Sequence, residues 1–386
     1  MLTEKIQNRL IQHANQSLIR KRCIVETEKT NRISVENNSC IDFSSNDYLG
    51  LKKHPSIIEA FIKSAEKYGV GSGASATVSG YSKEHAETEQ LFSEWLGVDK
   101  TILFNSGYCA NVGIISSLVS RSNTIFSDKL CHASLLDGII LSRAQHYRYQ
   151  NVNMERLYHM AESHSPDLIV TESIFSMEGR LAPIDSLVQL AKHYKSGLLI
   201  DDAHGIGILG KTGAGIIEHH EINQQDFSCL VLPLGKAFNA MGAIIAGKSE
   251  IMEGILQFCR TYRYTTAIAP AICSAIQASL KIIKEENWRR YELIKNIRFF
   301  ISYANDQGLS LLSYDDTPIK PILIHDNTRT LALQNFLLAK GLHVPAIRPP
   351  TVPENKARLR VSLNSLHTQD EIMLLVDNIV AGLRLC

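Results

Sequence analysis

The stretch Val231-Leu232-Pro233-Leu234-Gly235-Lys236-Ala237-Phe238 runs an apolar strand into a small-residue turn that carries a single amine. Upstream, a second apolar run, Leu198-Leu199-Ile200, ends in Asp201-Asp202-Ala203-His204-Gly205. A lysine after one strand and a carboxylate with an imidazole after another are the equipment for holding pyridoxal phosphate. The amine can form a Schiff base with the cofactor's aldehyde, and the carboxylate can pair with the protonated pyridine nitrogen. Each motif alone is commonplace: Gly-Lys pairs occur in surface loops, and Asp-Asp pairs in turns and caps. Together, in a chain that alternates strands and helices, they point to one site.

At 386 residues the chain is long for a single core, so two domains are expected. The composition, 45% hydrophobic and 20% charged with a formal net charge of +1, offers no general attraction to nucleic acid or to a membrane surface. The eight cysteines include no Cys-x-x-Cys, which suggests neither a zinc site nor a disulfide framework and fits a reducing cytoplasm. The start, Met1-Leu2-Thr3-Glu4-Lys5, lacks the apolar stretch of a signal peptide. No apolar run approaches the ~20 residues that span a bilayer.

Leu2, Ile6, Leu10, Ala14 and Leu18 recur every fourth residue, the pattern of an amphipathic first helix, which ends in Arg20-Lys21-Arg22. A turn at Ser44-Ser45-Asn46-Asp47-Tyr48-Leu49-Gly50 follows. From there the chain alternates helices with the apolar strands Thr101–Phe104, Thr124–Phe126, Leu168–Thr171, Leu198–Asp201, Leu230–Leu232 and Ala243–Ala246. That alternation predicts an α/β fold with a largely parallel sheet covered on both faces. A long polar helix around Lys281–Asn305 leads to strand Pro321–Ile324, helix Thr328–Lys340, strands Leu342–Ile347 and Arg358–Leu363, and helix Thr368–Leu383. The expected division is an N-terminal helix and arm (1–45), a large domain (46–278) and a small α/β C-terminal domain (279–386).

Several motifs fall just past strand ends, where open parallel sheets bind ligands. Asn105-Ser106-Gly107-Tyr108-Cys109-Ala110-Asn111 opens a helix whose free N–H groups suit a phosphate. His132 follows Thr124–Phe126 and can lie flat on an aromatic ring. In Thr171-Glu172-Ser173-Ile174-Phe175-Ser176 the hydroxyls can reach a phenolic oxygen. Ordinary turn and cap chemistry explains each of these equally well when taken singly.

Gly205-Ile206-Gly207-Ile208-Leu209-Gly210-Lys211-Thr212 matches a nucleotide-binding P-loop pattern. Its context is wrong, because Asp201–His204 separates strand from glycines and Gly213 and Gly215 weaken any helix that follows. Adjacent residues at a strand end diverge, so a metal held by Asp201, Asp202 and His204 together is awkward, and no metal site is expected. In Ala346-Ile347-Arg348-Pro349-Pro350-Thr351-Val352-Pro353 the guanidinium, fixed by prolines behind it, is suited to a carboxylate.

Asp42–Leu51, Val78-Ser79-Gly80-Tyr81-Ser82, His132-Ala133-Ser134, Asp201–Gly205 and Gly235-Lys236 stand in the order found in the α-oxoamine synthases, and the chain resembles that family over nearly its whole length. The resemblance implies a fold type I pyridoxal-phosphate transferase, with a mostly parallel seven-stranded sheet in the large domain. It implies that Lys236 bonds the cofactor, Asp201 pairs with the pyridine nitrogen and His132 stacks on the ring. His204 and Ser176 would contact the phenolic oxygen, and Gly107 and Tyr108 the phosphate. Asn46 and His132 would also bind substrate, Arg348 would hold the substrate carboxylate, and Arg20 and Thr351 would line the acyl-substrate entry.

The resemblance further implies a cytoplasmic homodimer in which Thr265 and Thr266 serve the neighbour's phosphate. The implied reaction joins L-alanine to a pimeloyl thioester, on acyl-carrier protein or coenzyme A, with release of carbon dioxide. A sister acyltransferase using glycine or serine, a non-catalytic homologue and a P-loop nucleotidase are the alternatives. Three positions depart from the family pattern. Pro233 stands where a hydroxyl residue helps hold the phosphate, Ala76 where an arginine is common, and Ala237 where glycine is common.

Overall fold

Five-residue runs rich in Val, Ile and Leu are too apolar to leave either face in water, and they assemble the centre of the larger of two compact units. The computed structural model describes residues 1–29, 31–150 and 152–385. The larger unit comprises residues 51–176 and 181–290, the smaller residues 1–50, 177–180 and 291–386. The segment expected as a separate N-terminal arm belongs to the smaller unit. Among the described residues no helix is long and apolar enough to cross a membrane.

In the larger unit seven strands form one sheet in the order Lys100–Phe104, Ala243–Gly247, Cys229–Pro233, Gly197–Asp201, Leu168–Glu172, Thr124–Asp128, Gln145–Tyr149. Only Ala243–Gly247 runs antiparallel to its neighbours. The carboxyl ends Phe104, Asp128, Glu172, Asp201 and Pro233 therefore share one edge. Ile125, Val170, Leu199, Val231 and Ile245 are fully buried beneath helices Gly107–Leu118 and Ala133–Ser142. Six strands lie where the apolar runs predict them. The seventh, Gln145-His146-Tyr147-Arg148-Tyr149, has no apolar run because it is an edge strand with most of its side chains partly exposed.

In the smaller unit, strands Val25–Lys29, Arg32–Val35 and Asn38–Asp42 form an antiparallel meander closed by Leu342–His343. The turn between the second and third uses Glu36 and Asn37 at φ 49° and 69°, the left-handed pair that tight hairpins favour. These short, polar strands left little periodic signal. The expected single strand Leu342–Ile347 is two. Leu342–His343 pairs with Ile41 and Asp42, and Ala346–Ile347 pairs with Leu359 and Arg358 in a second sheet with Ile319–His325. Pro345 separates them, since it has no N–H for a ladder.

The expected helix Lys281–Asn305 is likewise two, Pro270–Glu285 and Trp288–Asp306, broken at Glu286-Asn287. There the side chains of Glu286 and Asn287 accept from Arg289 and Arg290. The first helix ends at Asn15, before Leu18, and Ser17 turns the chain at φ 56°.

Gly138 lets the two helices that bear on the strand ends touch. A Cβ there would lie 2.8 Å from the Asn111 carbonyl oxygen and 3.1 Å from Ile115 Cβ. Gly138→Ala is therefore expected to destabilise the protein by about 1–3 kcal/mol, read by urea unfolding, although alanine favours an isolated helix.

Candidate active site

The turn that carries Lys236 joins the antiparallel pair Cys229–Pro233 and Ala243–Gly247. Leu234 N donates to the Gly242 carbonyl at 2.9 Å, Ala240 N to Leu234 at 3.0 Å and Asn239 N to Lys236 at 2.8 Å. Asn239 at φ 48° and Gly242 at φ 117° make the reversal possible. The turn holds the half-buried lysine just past the strand end.

Asp201 closes the neighbouring strand and is 4% exposed. Its Oδ1 accepts from the Ala203 N–H at 3.1 Å and its Oδ2 from Asn111 Nδ2 at 2.7 Å. Asp202, fully buried, points elsewhere: its Oδ2 accepts from Ile216 N at 2.8 Å. A Cβ on Gly205 or Gly215 would meet its oxygens at 2.0 Å, so the glycine-rich loop folds around this carboxyl. Thr212 N and Ala214 N donate to Glu218 at 3.0 and 3.1 Å. Within the P-loop-like stretch Gly205, Ile206, Gly207, Ile208 and Leu209 donate their N–H groups to main-chain carbonyls and Thr212 donates to Glu218, so these groups are taken within the chain, and Lys211 lies exposed.

His132 caps helix Ala133–Ser142, its Nδ1 meeting Ser134 Oγ at 2.7 Å and Ser134 N at 3.2 Å. Burial lowers its pKa, opposed by the Asp201 charge and reinforced by that of Lys236. The Tyr108 and His132 rings stand nearly perpendicular with centroids 6.4 Å apart, and the Tyr108 hydroxyl donates to Asp137. Glu172, in register with Asp201 on the adjacent strand, is 3% exposed. Burial first and Asp201 second push its carboxyl well above the usual range. Ser176 and His204 are buried in the turns after these two strands.

Ser106 caps helix Gly107–Leu118, accepting from Cys109 N at 3.2 Å, and the first N–H groups of a helix have no partner within it. Pro233 packs on this turn: a Cβ on Gly107 would lie 2.5 Å from its Cγ. Thr266 lies near the same turn of its own chain, its carbonyl accepting from Asn105 Nδ2 at 2.7 Å. Half-buried Ala76 packs against the core, and Ala237 is buried. An amine, a buried carboxylate, an imidazole and a helix start suit the aldehyde, pyridine nitrogen, ring face and phosphate of pyridoxal phosphate. The donor set fits the group.

In the smaller unit Arg348, Arg20 and Thr351 come together. Arg20 Nη2 donates to Thr351 Oγ1 at 3.0 Å, and the Arg348 guanidinium donates to the carbonyls of Ser17 and, at 3.4 Å, Ile19. Burial and the Arg20 charge lower the Arg348 pKa. Asn46 Oδ1 accepts from Tyr48 Oη and from Arg360 Nη1, each at 3.1 Å. Sequence reasoning passed over Arg360, Asn111, Ser134 and Glu172. The one available signal was two arginines, Arg358 and Arg360, alternating within a strand, Ala357–Ser362, whose residues are all buried.

Burial raises the Asp202 pKa to about 7, although its hydrogen bonds pull the other way. The unfolded chain ionises this group near pH 4. As pH rises from about 4 to 7 the unfolded state releases a proton that the fold retains, so folding stability falls over that window and levels off above it. Asp202→Asn is expected to remove this share of the pH dependence, measured as the difference from wild type in urea-unfolding free energy at pH 5 and pH 8.

The profile of a family described as Aminotransferase class I and II matches residues 38–379. An 8-amino-7-oxononanoate synthase of Pseudomonas savastanoi pv. phaseolicola is 41% identical over 96% of this chain and 94% of its own length. A crystal structure of 8-amino-7-oxononanoate synthase from Francisella tularensis superposes with a TM-score of 0.81 at 33% identity, covering 90% of this chain and 98% of the other. A serine palmitoyltransferase from S. paucimobilis, solved with a bound PLP–myriocin aldimine, gives a TM-score of 0.94 at 25% identity over 100% of this chain and 99% of its own. With the strand order, the lysine turn and these likenesses in place, the chain belongs to the class I and II aminotransferase family and has the fold type I architecture of its pyridoxal-phosphate transferases.

Proposed function

We propose that this chain catalyses the decarboxylating condensation of L-alanine with a pimeloyl thioester, forming 8-amino-7-oxononanoate, carbon dioxide and the free thiol carrier, a step of biotin biosynthesis. The observation that carries the reading is the convergence of Lys236, Asp201 and His132 on one sheet edge, in a chain 41% identical to a synthase of that name along nearly its whole length. Pyridoxal phosphate, when bound, supplies the electron sink for the bond changes at the amino-acid α-carbon. Lys236 would hold the cofactor's aldehyde carbon and, once the substrate amine has displaced it, its freed amine or a group near it would take the α-proton. Asp201, already ordered by two hydrogen bonds, keeps the pyridine nitrogen protonated, because an adjacent negative charge favours the charged form. Gly107 and Tyr108 offer N–H groups to the phosphate, His132 a flat face to the ring, and Ser176 and His204 polar groups to the phenolic oxygen.

Both substrates carry a carboxylate, and the smaller unit carries two arginine receptors. Arg360 is 5% exposed and bonded to Asn46 and Ser362, which suits the compact carboxylate of alanine. Arg348 stands with Arg20 and Thr351, a doubly cationic cluster that suits the distal carboxylate of the pimeloyl chain. The working form in this reading is a cytoplasmic homodimer in which Thr265 and Thr266 also serve the partner's phosphate, and the thioester arrives on acyl-carrier protein or coenzyme A.

Incubated with pyridoxal phosphate, the protein is expected to absorb in the visible range, and borohydride reduction should leave the label on Lys236. A label on Lys211 overturns the assignment. Lys236→Ala should still bind the cofactor non-covalently but lose turnover.

Steady-state kinetics test the substrate reading. Turnover is expected with alanine and a pimeloyl thioester in preference to glycine and acetyl-CoA, and the reverse preference moves the chain to a sister activity. Arg360→Lys should raise the alanine KM strongly, since lysine lacks the bidentate fork. Arg348→Ala should raise the KM of the pimeloyl thioester. If Arg348→Ala acts on the alanine KM instead, Arg348 is the amino-acid receptor.

A further inference from the structure

Asn111 lies one turn into helix Gly107–Leu118 and is 1% exposed. Both hydrogens of its side-chain amide end on oxygens of other elements. Nδ2 donates to Asp201 Oδ2 at 2.7 Å and to Ser134 Oγ at 2.9 Å. The Ser134 hydroxyl also lies 2.7 Å from His132 Nδ1, a bond whose direction is set by the His132 tautomer. The Ser134 main-chain N–H faces the same nitrogen at 3.2 Å. That main-chain donor asks for a lone pair on Nδ1, and with one there the Ser134 hydroxyl gives its hydrogen to the same nitrogen and the proton of His132 sits on Nε2.

The direction of this chain is not arbitrary. Turning the Asn111 amide over would set its oxygen against the Asp201 carboxylate and reverse the Ser134 hydroxyl. As it stands, Asn111 Oδ1 is buried with no hydrogen-bond partner among the described residues. Leaving a buried carbonyl unsatisfied is costly, and here the orientation is held by the two N–H bonds on the other side of the amide.

We infer that Asn111 is a positioning residue that joins Asp201 to His132: it fixes the carboxylate and, through Ser134, holds the imidazole neutral with its only proton on Nε2. The cofactor's pyridine nitrogen and its ring face would thereby be served by two side chains set by one amide. The groups facing His132 are Asp201, Lys236, Asp137 and the Tyr108 ring, and the His132 main-chain N–H donates to Glu172. Asp201 favours imidazolium, so a structural device that opposes protonation has something to oppose.

The coupling belongs to the protein without cofactor, so it can be tested apart from the reaction proposed above. Nitrogen-15 NMR of histidine-labelled, cofactor-free protein, with the His132 signals assigned by their loss in His132→Gln, reads tautomer and charge directly. Wild type is expected to show an unprotonated Nδ1 and a protonated Nε2 throughout pH 6–8, about the range where a free imidazole titrates. Asn111→Leu, similar in size and without donors, should let the Nδ1 proton appear and move the His132 titration upward. Asn111→Asp, isosteric but lacking the NH₂ group, should do the same. Ser134→Ala cuts the link while leaving the Asn111–Asp201 bond, and carries the test if either Asn111 variant fails to fold. In the holoenzyme each variant should lower kcat about tenfold or more with little change in the alanine KM, the pattern of an interaction that matters after binding. A wild-type His132 protonated on Nδ1 at neutral pH, or variants that keep both the wild-type tautomer and kcat, would overturn the inference. A normal wild-type tautomer in a protein that makes no 8-amino-7-oxononanoate would leave the coupling standing and remove the substrate reading.

Discussion

A carboxylate buried at the end of an apolar sheet is the constraint on which the rest of the larger unit depends. An isolated buried charge is so costly that it neutralises unless it is met by donors. Asp201 is met by a main-chain N–H from its own turn and a side-chain N–H from a helix. The neighbouring Glu172 also accepts main-chain N–H groups, from His132 and Ser176, yet burial first and the Asp201 charge second push its carboxyl up. The same edge therefore holds two buried carboxyl groups in register on adjacent strands, and the Glu172 carboxyl is pushed toward its neutral form. Keeping the donor helix close requires the small contact at Gly138, so a packing detail between two helices bears on the charge of the site.

The pair Asp201-Asp202 shows how neighbouring residues of one type divide structure from chemistry. Alternation along a strand sends the two side chains to opposite sides. One faces Asn111, and the other anchors the loop of Gly205 and Gly215 through the Ile216 N–H. That anchoring explains the misleading resemblance to a P-loop. The glycines are there because a buried carboxyl leaves no room for Cβ atoms, and because Gly207, Gly210, Gly213 and Gly215 all have positive φ. The neighbouring N–H groups bind Glu218 and Asp202 rather than phosphate.

The smaller unit handles buried cations by a parallel division. Arg358 bonds the carboxylate of Glu178 at 3.0 Å and the Met177 carbonyl at 2.8 Å, a structural ion pair beneath the second sheet. Arg360, two residues along the same strand, bonds the amide of Asn46 and the hydroxyl of Ser362. Two arginines that alternate along one buried strand are thus tied to different parts of the smaller unit.

Read alone, the chain yields the alternating architecture, six of the seven strands of the main sheet and the residues past their ends, because apolar strands and small-residue turns are local patterns. Lys236, Asp201 and His132 were legible for the same reason: each follows a strong strand signal. The edge strand Gln145–Tyr149, the N-terminal meander and the break at Pro345 were not, since short or half-exposed strands carry little periodicity. Nor were Asn111 and Arg360 legible, one an asparagine inside a helix and the other an arginine in a strand. Their meaning lies in partners distant along the chain, Asp201 for the first and Asn46 for the second. Local sequence determines which backbone element forms and which chemistry sits at its end. Which buried polar groups meet, and so which protons are held where, is decided only when elements far apart in sequence pack together.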